Sequence, residues 1–434
     1  AEILPAVRML LSDEKIRVAR AFNSWSVVPF IEEKDSFSAI SRPFTPDQMV
    51  YCLSEYLFIE NTASADTIIA EIRESGSGFK TRKGVLPKVV FIKDEGVIVV
   101  EDSPVALEYL ESLVKDFTQI ALLSERFGGP HPMTEEQVAF IESWEVENYR
   151  KKVSLGGKPK GRVENKVVVI TGAAQGFGAG IAETLMAEGA NVVIADMNVE
   201  KGEAFAAELN QKSSKNRAFF VPVDVSRAES VEKMVSQTVL HYGGIDVMIS
   251  NAGILRAGGL EDMTPETFAL MTKVNYSGYF HCAKYASRVM KQQHAFRPEL
   301  FMDIIQINSK SGLKGSNRNF AYAGGKFGGI GLTQSFALEL MPYHIKVNSI
   351  CPGNFFDGPL WSDPENGLFV QYLKAGKIPG AKSLEDVKKH YEAQVPARRG
   401  CLPSDVVKAI LYVIEQEYET GQAVPVTGGR EMLR

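Results

Sequence analysis

The residues best suited to chemistry lie in the stretch "DIIQINSKSGLKGSNRNFAYAGGK", Asp303 to Lys326. Tyr322 and Lys326 are four residues apart in "YAGGKFGGIGLTQSFALEL", which reads as a helix, so both side chains project from one face. A phenol with a pKa near 10 is a poor base at neutral pH, but an ammonium beside it favours the phenolate. Each unit of depression takes about 1.4 kcal/mol of differential stabilisation, within reach of a close, desolvated cation. Tyr322 is therefore a candidate general acid or base. A Tyr and a Lys at helical spacing are common on helix surfaces. What sets this pair apart is Ser309, at the end of the apolar run "DIIQINS", where a strand of an open α/β sheet presents its ligand.

Short Val/Ile-rich runs surround these residues and alternate with longer amphipathic stretches: "KVVVIT", "NVVIAD", "AFFVPVDV", "IDVMISNAG", "DIIQINS", "IKVNSICPG" and "QAVPVTGG". Continuous apolar runs of that length are the pattern of parallel strands covered by helices on both faces. The prediction is a doubly wound, Rossmann-type α/β domain over residues 164–434.

The first run leads into "TGAAQGFG", with Gly172, Gly176 and Gly178 around Gln175 and Phe177. Glycines there allow a tight turn and close backbone approach to a pyrophosphate, whose charge sits on the N-terminus of the following helix. The second strand ends in Asp196, an acid placed to accept both hydrogen bonds of an adenosine ribose and to repel a 2′-phosphate. Met197 and Asn198 follow it, with no arginine to neutralise an extra phosphate, so NAD is expected as cofactor in preference to NADP.

At 434 residues the chain is long enough for two domains, each with its own core. Residues 1–153 are expected to hold a smaller α+β domain. There "PKVVFIKDEGVIVVED" reads as a hairpin about Asp94-Glu95-Gly96, followed by a helix with Ser103 as N-cap, Pro104 at its first position and Gly128-Gly129 as its stop. Thr134 and Gln137 are spaced as the capping box of a further helix. Residues 154–163, polar and glycine-containing, are the expected linker. The opening "AEILPAVRMLLSDEKIRVAR" has helical spacing and lacks the uninterrupted apolar core of a signal peptide. It starts at Ala1 without a methionine, which is read as removal of some N-terminal sequence.

Taken together, "TGAAQGFG", "NAG" at Asn251 to Gly253, Asn275 in "KVNYSGYF", Ser309 thirteen residues before Tyr322, the Tyr-x-x-x-Lys pair and Pro352-Gly353 resemble the short-chain dehydrogenases/reductases over about 270 residues. The resemblance implies that Tyr322 exchanges a proton, Ser309 hydrogen-bonds the reacting oxygen, Lys326 binds the nicotinamide ribose and tunes the phenol, and Asn275 holds a water relay. It places Asp224 and Val225 beside the adenine, has Asn251 and Gly253 back the ribose, and adds Gln175, Phe177, Met197, Pro352 and Gly353 to the cofactor contacts. Phe177 departs from the usual Ile or Leu. The family also implies a homo-oligomer, tetramer or dimer.

"IIQINSKSG", "VPARRGC" and the closing "TGQAVPVTGG" are similar to the sorbitol-6-phosphate 2-dehydrogenase group of that family, which implies a phosphorylated hexitol as substrate. A phosphomonoester needs cations or N–H donors, whereas a free polyol needs mainly neutral partners. Lys310, one residue past Ser309, is the leading phosphate candidate, with Arg318, Arg398, Arg399 and Asn354 as further substrate contacts. The insertion from Asn354 to Gln394 carries Phe355, Phe356, Trp361 and Phe369, either a water-excluding lid or a small satellite core.

Parts of the N-terminal region, including "TPDQMVYC" and "ERFGG", resemble the latter half of a class II aldolase domain. Such aldolases hold zinc with several histidines, and this region has His131 alone, so a catalytically silent remnant without a metal site is expected. Lys and Arg total 48 against 53 Asp and Glu, with no long basic run, which argues against nucleic acid as a partner. No stretch approaches the roughly 20 apolar residues that span a bilayer, so no membrane is expected. Four separated cysteines read as reduced thiols in a cytoplasm. The alternatives are a dehydrogenase of another ketose phosphate or free polyol, a bifunctional lyase, and a dinucleotide-sensing module.

Overall fold

The structure is a computed structural model that describes residues 1–143, 161–213, 216–365, 367–374 and 378–432. Its N-terminal part begins with helix α1 (Leu4–Leu10) and strand β1 (Val18–Phe22). Strands β2 (Leu57–Ile59), β3 (Val89–Ile92) and β4 (Gly96–Glu101) complete a sheet of order β1-β4-β3-β2. The helical spacing read across residues 1–20 holds only as far as Leu10. Beyond the polar turn that follows, "VARAF" is extended and pairs antiparallel with β4. The expected hairpin is present as β3 and β4.

Both faces of that sheet are covered, which explains its unbroken apolar runs. Val89, Phe91, Val97 and Val99 share a core with helix Pro104–Ser124, whereas Val90, Ile92, Ile98 and Val100 share one with α1 and helix Ala65–Lys83. In chain order the latter helix is α2 and Pro104–Ser124 is α3. Ser103 caps α3 through Ala106 N, and Gly128 closes the short turn behind it in a left-handed conformation. Thr134 and Gln137 form the expected reciprocal cap at the start of α4 (Glu135–Ser143). The expected linker lies outside the described residues except for 161–163.

The larger sheet contains β5 (Val167–Thr171), β6 (Asn191–Asp196), β7 (Ala218–Pro222), β8 (Val247–Ser250), β9 (Met302–Ile307), β10 (Ile345–Pro352) and β11 (Ala423–Val426). All neighbours are parallel, in the order β11-β10-β9-β8-β5-β6-β7. Helices α5 (Gly176–Ala187), α6 (Val199–Lys212), α7 (Ala228–Tyr242), α8 (Pro265–Thr272), α9 (Gly278–Phe296) and α10 (Phe320–Leu340) follow in turn. The insertion supplies α11 (Pro359–Ser362), α12 (Leu368–Lys374) and α13 (Leu384–Ala393), and α14 (Pro403–Glu415) precedes β11. One face of the sheet packs on α5, α6 and α14, the other on α7, α9 and α10. The order reverses between β5 and β8, and a crevice at such a reversal is where doubly wound sheets bind ligands.

The two sheets are joined by polar as well as apolar contacts. Arg8 of α1 meets Asp246, just before β8, at 2.7 Å with both side chains buried, and Asp246 also accepts Val167 N at 2.7 Å. Arg8 Nε donates to Arg17 O at 2.6 Å, and Asn165 Nδ2 reaches Ile16 O at 2.6 Å. Burial alone would raise the Asp246 pKa, yet the Arg8 guanidinium holds it below the usual carboxylate range. The stabilisation is thus complete above the ordinary aspartate pKa and is lost as pH falls through the depressed one. Removing one partner of a buried pair leaves a charge uncompensated. Arg8→Ala is expected to lower unfolding free energy in urea at neutral pH by about 3–5 kcal/mol, and a loss below about 1 kcal/mol would show that the pair is dispensable.

Candidate functional site

The crevice between β5 and β8 is built first by its backbone. The turn after β5 brings Gly172 N to Ala195 O at 2.7 Å. Asn251, following β8, spends its side-chain amide on Thr171 O at 2.8 Å and Gly172 O at 3.0 Å, while Thr171 Oγ1 accepts Asn251 N and Ala252 N. Gly178 lies so close that a Cβ there would sit 2.2 Å from Gly172 O. Asp196, at the end of β6, accepts Ala174 N at 3.0 Å and Asn198 N at 2.9 Å, so the acid braces the same turn.

This turn fits the phosphate-bearing part of a dinucleotide. Gly176, at φ +62°, would aim a Cβ into open space, with Pro359 Cδ the nearest atom at 3.9 Å. Gln175 makes no side-chain cap to α5, which leaves the first-turn N–H groups available to an anion. The Phe177 ring lies 4.9 Å from that of Phe355 in the insertion, tilted by 30°, which gives the aromatic departure from the usual aliphatic residue a partner. Met197 is exposed beside Asp196. Asp224 Oδ1 accepts Ser226 N and Oγ, and Val225 O lies 2.9 Å from His281 Nδ1, which fixes the loop after β7.

Across the crevice the reactive side chains converge from three elements. Ser309 follows β9, its Oγ accepting Ser311 N at 3.1 Å and its own N–H donating to Asn308 Oδ1 at 2.8 Å. Tyr322 and Lys326 lie one turn apart on α10, with Lys326 Nζ 5.6 Å from the Tyr322 ring centre. Lys326 is buried and donates to Ile307 O at 2.8 Å. Asn275 stands in a single π-helical turn between α8 and α9, exchanging bonds of 3.0 and 2.9 Å with the Ile254 backbone. A Cβ on Gly253 would lie 2.9 Å from Asn275 Oδ1 and 3.9 Å from Lys326 Nζ, so these residues share one space.

The electrostatics are less one-sided than the sequence reading proposed. Burial raises the Tyr322 pKa, with the Ser309 hydroxyl acting in the opposite direction, and burial pulls Lys326 down to about 8. In the protein alone desolvation sets the direction, and it is the Ser309 hydroxyl, not Lys326, that works against it.

The predicted phosphate contacts are dispersed. Arg318 pairs with Asp262 at 2.5 Å, Arg399 forks onto Asp405 at 2.5 and 3.0 Å, and Arg398 donates to Ala393 O at 3.0 Å. Lys310 lies half-buried behind Ser309, its pKa lowered by burial and then by Arg430. Asn354 accepts Cys401 N at 2.8 Å and, with Gly353 next to Pro352, lines a cavity of about 590 Å³. Phe356, Trp361 and Phe369 form a separate core with Leu368 and Val387, so the insertion has its own packing while Phe355 reaches the glycine turn.

Two positions escaped the sequence reading. Asn308, just after β9, donates to Lys326 O at 2.9 Å and Gln306 Oε1 at 2.8 Å, tying β9 to α10, and its only mark in the sequence is a polar residue at the end of an apolar run. Arg430, after β11, has no local motif. Among the described residues, no group of three or more His, Cys, Asp or Glu is placed to hold a metal ion, and no helix is long and apolar enough to cross a membrane. All four cysteines are free and buried.

Comparison with known proteins agrees with this geometry. The family model described as short chain dehydrogenase matches residues 166–361. The chain is 36% identical to sorbitol-6-phosphate 2-dehydrogenase of Escherichia coli (strain K12) over 272 residues, covering 62% of this chain and 100% of that protein. The crystal structure of sorbitol-6-phosphate 2-dehydrogenase from Erwinia amylovora is similar at 35% identity and a TM-score of 0.56, over 62% of this chain and 100% of that one. An uncharacterised oxidoreductase of Bacillus subtilis (strain 168) is 25% identical over 99% of this chain, which spans 63% of that protein's length.

The close approach at Gly178 generates a test. Gly178→Ala should force the turn apart and cost about 1–3 kcal/mol of stability in urea, and an unchanged midpoint would mean that the turn is looser than its contacts indicate.

Proposed function

The chain belongs to the short-chain dehydrogenase family, an oxidoreductase acting on CH–OH groups, and from that premise we propose that it oxidises sorbitol 6-phosphate to fructose 6-phosphate, and the reverse, with NAD. The observation that carries the reading is the convergence of Ser309, Tyr322, Lys326 and Asn275 beside the glycine turn. The likeness to two sorbitol-6-phosphate 2-dehydrogenases supports the substrate. Asp196 supports NAD, because its carboxylate would face a 2′-phosphate with no arginine next to it in the chain.

A dinucleotide held by its pyrophosphate at the glycine turn would supply, in its oxidised nicotinamide, the acceptor for the hydride from the substrate carbon. The protein handles the proton. Ser309 Oγ holds the substrate hydroxyl, and Tyr322 Oη, as phenolate, takes its proton as the carbonyl forms. Lys326 contributes a positive charge near the ring and donors for a ribose, fixed in place by Ile307 O. Asn275 holds the backbone at Ile254 and shares the space beside Gly253 with the lysine, which supports its passing a proton towards solvent through water. In the reverse direction the phenol donates the proton.

The N-terminal sheet is assigned a structural role, since it shares a core and the Arg8–Asp246 pair with the dehydrogenase part. Phe280 on α9 and Phe327 and Leu338 on α10 are exposed apolar residues that support a homo-oligomer.

The test is absorbance of reduced nicotinamide with sorbitol 6-phosphate or free sorbitol, each with NAD or NADP. The phosphorylated substrate with NAD should turn over best, and Tyr322→Phe should lower kcat by about 10²–10⁴-fold. No turnover of sorbitol 6-phosphate would overturn the substrate, and an active Tyr322→Phe the proton path.

A further inference from the structure

With Arg318, Arg398 and Arg399 engaged elsewhere, the cation best placed for an anionic substrate comes from the C-terminal turn. Arg430 follows β11 in "VTGGR". Its Nη2 donates to Gln394 Oε1 at 2.6 Å, just beyond α13, whereas its Nη1 is buried and has no hydrogen-bond partner among the described residues. An unsatisfied donor of a charged group is costly to bury, which makes it a good mark of a site built for an acceptor.

The surroundings give that acceptor a place. Arg430 lines the cavity of about 590 Å³ together with Gly353 and Asn354, which follow the carboxyl end of β10, the neighbour of the strand that leads to Ser309. Glu431 Oε2 lies 3.5 Å from Lys314 Nζ, drawing the loop that follows Ser309 against the same turn. Lys310, in that loop, is near enough to Arg430 for the two positive charges to oppose one another. Of the carboxylates on the cavity wall, Asp405 is engaged by Arg399 and Glu431 by Lys314. Lys408 and Arg430 are then the wall cations without an ion pair among the described residues. A dianion is what such an arrangement lacks, and a guanidinium with a free edge suits a phosphate better than an ammonium does.

We propose that Arg430, oriented by Gln394 and assisted by Lys310, binds the phosphate of the substrate whose hydroxyl lies at Ser309 and Tyr322. This rests on the reading of the substrate as a phosphorylated polyol. The C-terminal turn thus joins the insertion to the loop after Ser309, and substrate charge would draw the three together. An extended hexitol separates its oxidised C2 from the phosphate at C6 by several carbon–carbon bonds, which suits two distinct subsites.

The experiment compares wild type with Arg430→Gln on sorbitol 6-phosphate and on free sorbitol, using NAD, with inorganic phosphate as a competitor in each assay. Loss of a hydrogen bond to a charged group predicts a fall of about 30-fold in the preference for the phosphorylated substrate, carried by KM. Competition by inorganic phosphate should weaken in parallel, and Arg430→Lys should restore part of both. Equal losses on the two substrates would remove Arg430 from the phosphate site and leave the substrate reading intact. If the wild type oxidises only an unphosphorylated alcohol, yet inorganic phosphate competes through Arg430, the substrate reading fails and the anion site stands. Oxidation of that alcohol without such competition would overturn both.

Discussion

The site depends on one constraint: a lysine ammonium held inside the protein. Lys326 is buried, its pKa is pulled down to about 8, and Ile307 O is its hydrogen-bonding partner. Burying a charge requires close, fixed partners, so β9 and α10 must keep a set relation. The polar network around them does this. Asn308 joins Gln306 to Lys326 O, Ser349 links Gln306 to Thr333, and Thr333 meets Tyr279 of α9. Gly329 allows Gln306 to come close, since a Cβ there would be 2.4 Å from its side chain. Tyr322, one turn before Lys326, inherits its position from this network.

The second organising contact lies at the opposite end of the strands. Arg8 reaches Asp246 before β8, whereas Asn251 stands immediately beyond β8. One short strand therefore connects the N-terminal helix to the residue that braces the glycine turn. The N-terminal sheet shares packing with the larger one, because a common apolar cluster runs from Val18 and Phe117 to Val167 and Tyr242.

Much of this was legible in the sequence because the strands are continuous apolar runs and the glycine turn has fixed spacing. All seven strands of the larger sheet, the β3–β4 hairpin and the caps at Ser103 and Thr134 fall where local pattern places them. The pairing of Arg8 with Asp246 was not legible, since nothing local marks two residues 238 positions apart as partners. For the same reason the sequence offered Arg318, Arg398 and Arg399 as further candidates beside Lys310, and these are engaged by Asp262, Ala393 O and Asp405. Arg430 comes close to the site through the path of the chain after β11, and spacing carries no trace of that. The balance at Tyr322 was also hidden, because desolvation depends on everything packed around a group.

The central proposal is that Lys326 favours the ionised form of Tyr322, the residue that takes the proton. A cation near a phenol favours its ionised form, so removing the cation raises the phenol's pKa. The direct measurement is kcat/KM for alcohol oxidation against pH, in wild type and Lys326→Met. The account predicts that the acidic limb moves to higher pH by about one unit or more in the variant. An acidic limb at the same pH in both proteins would contradict it.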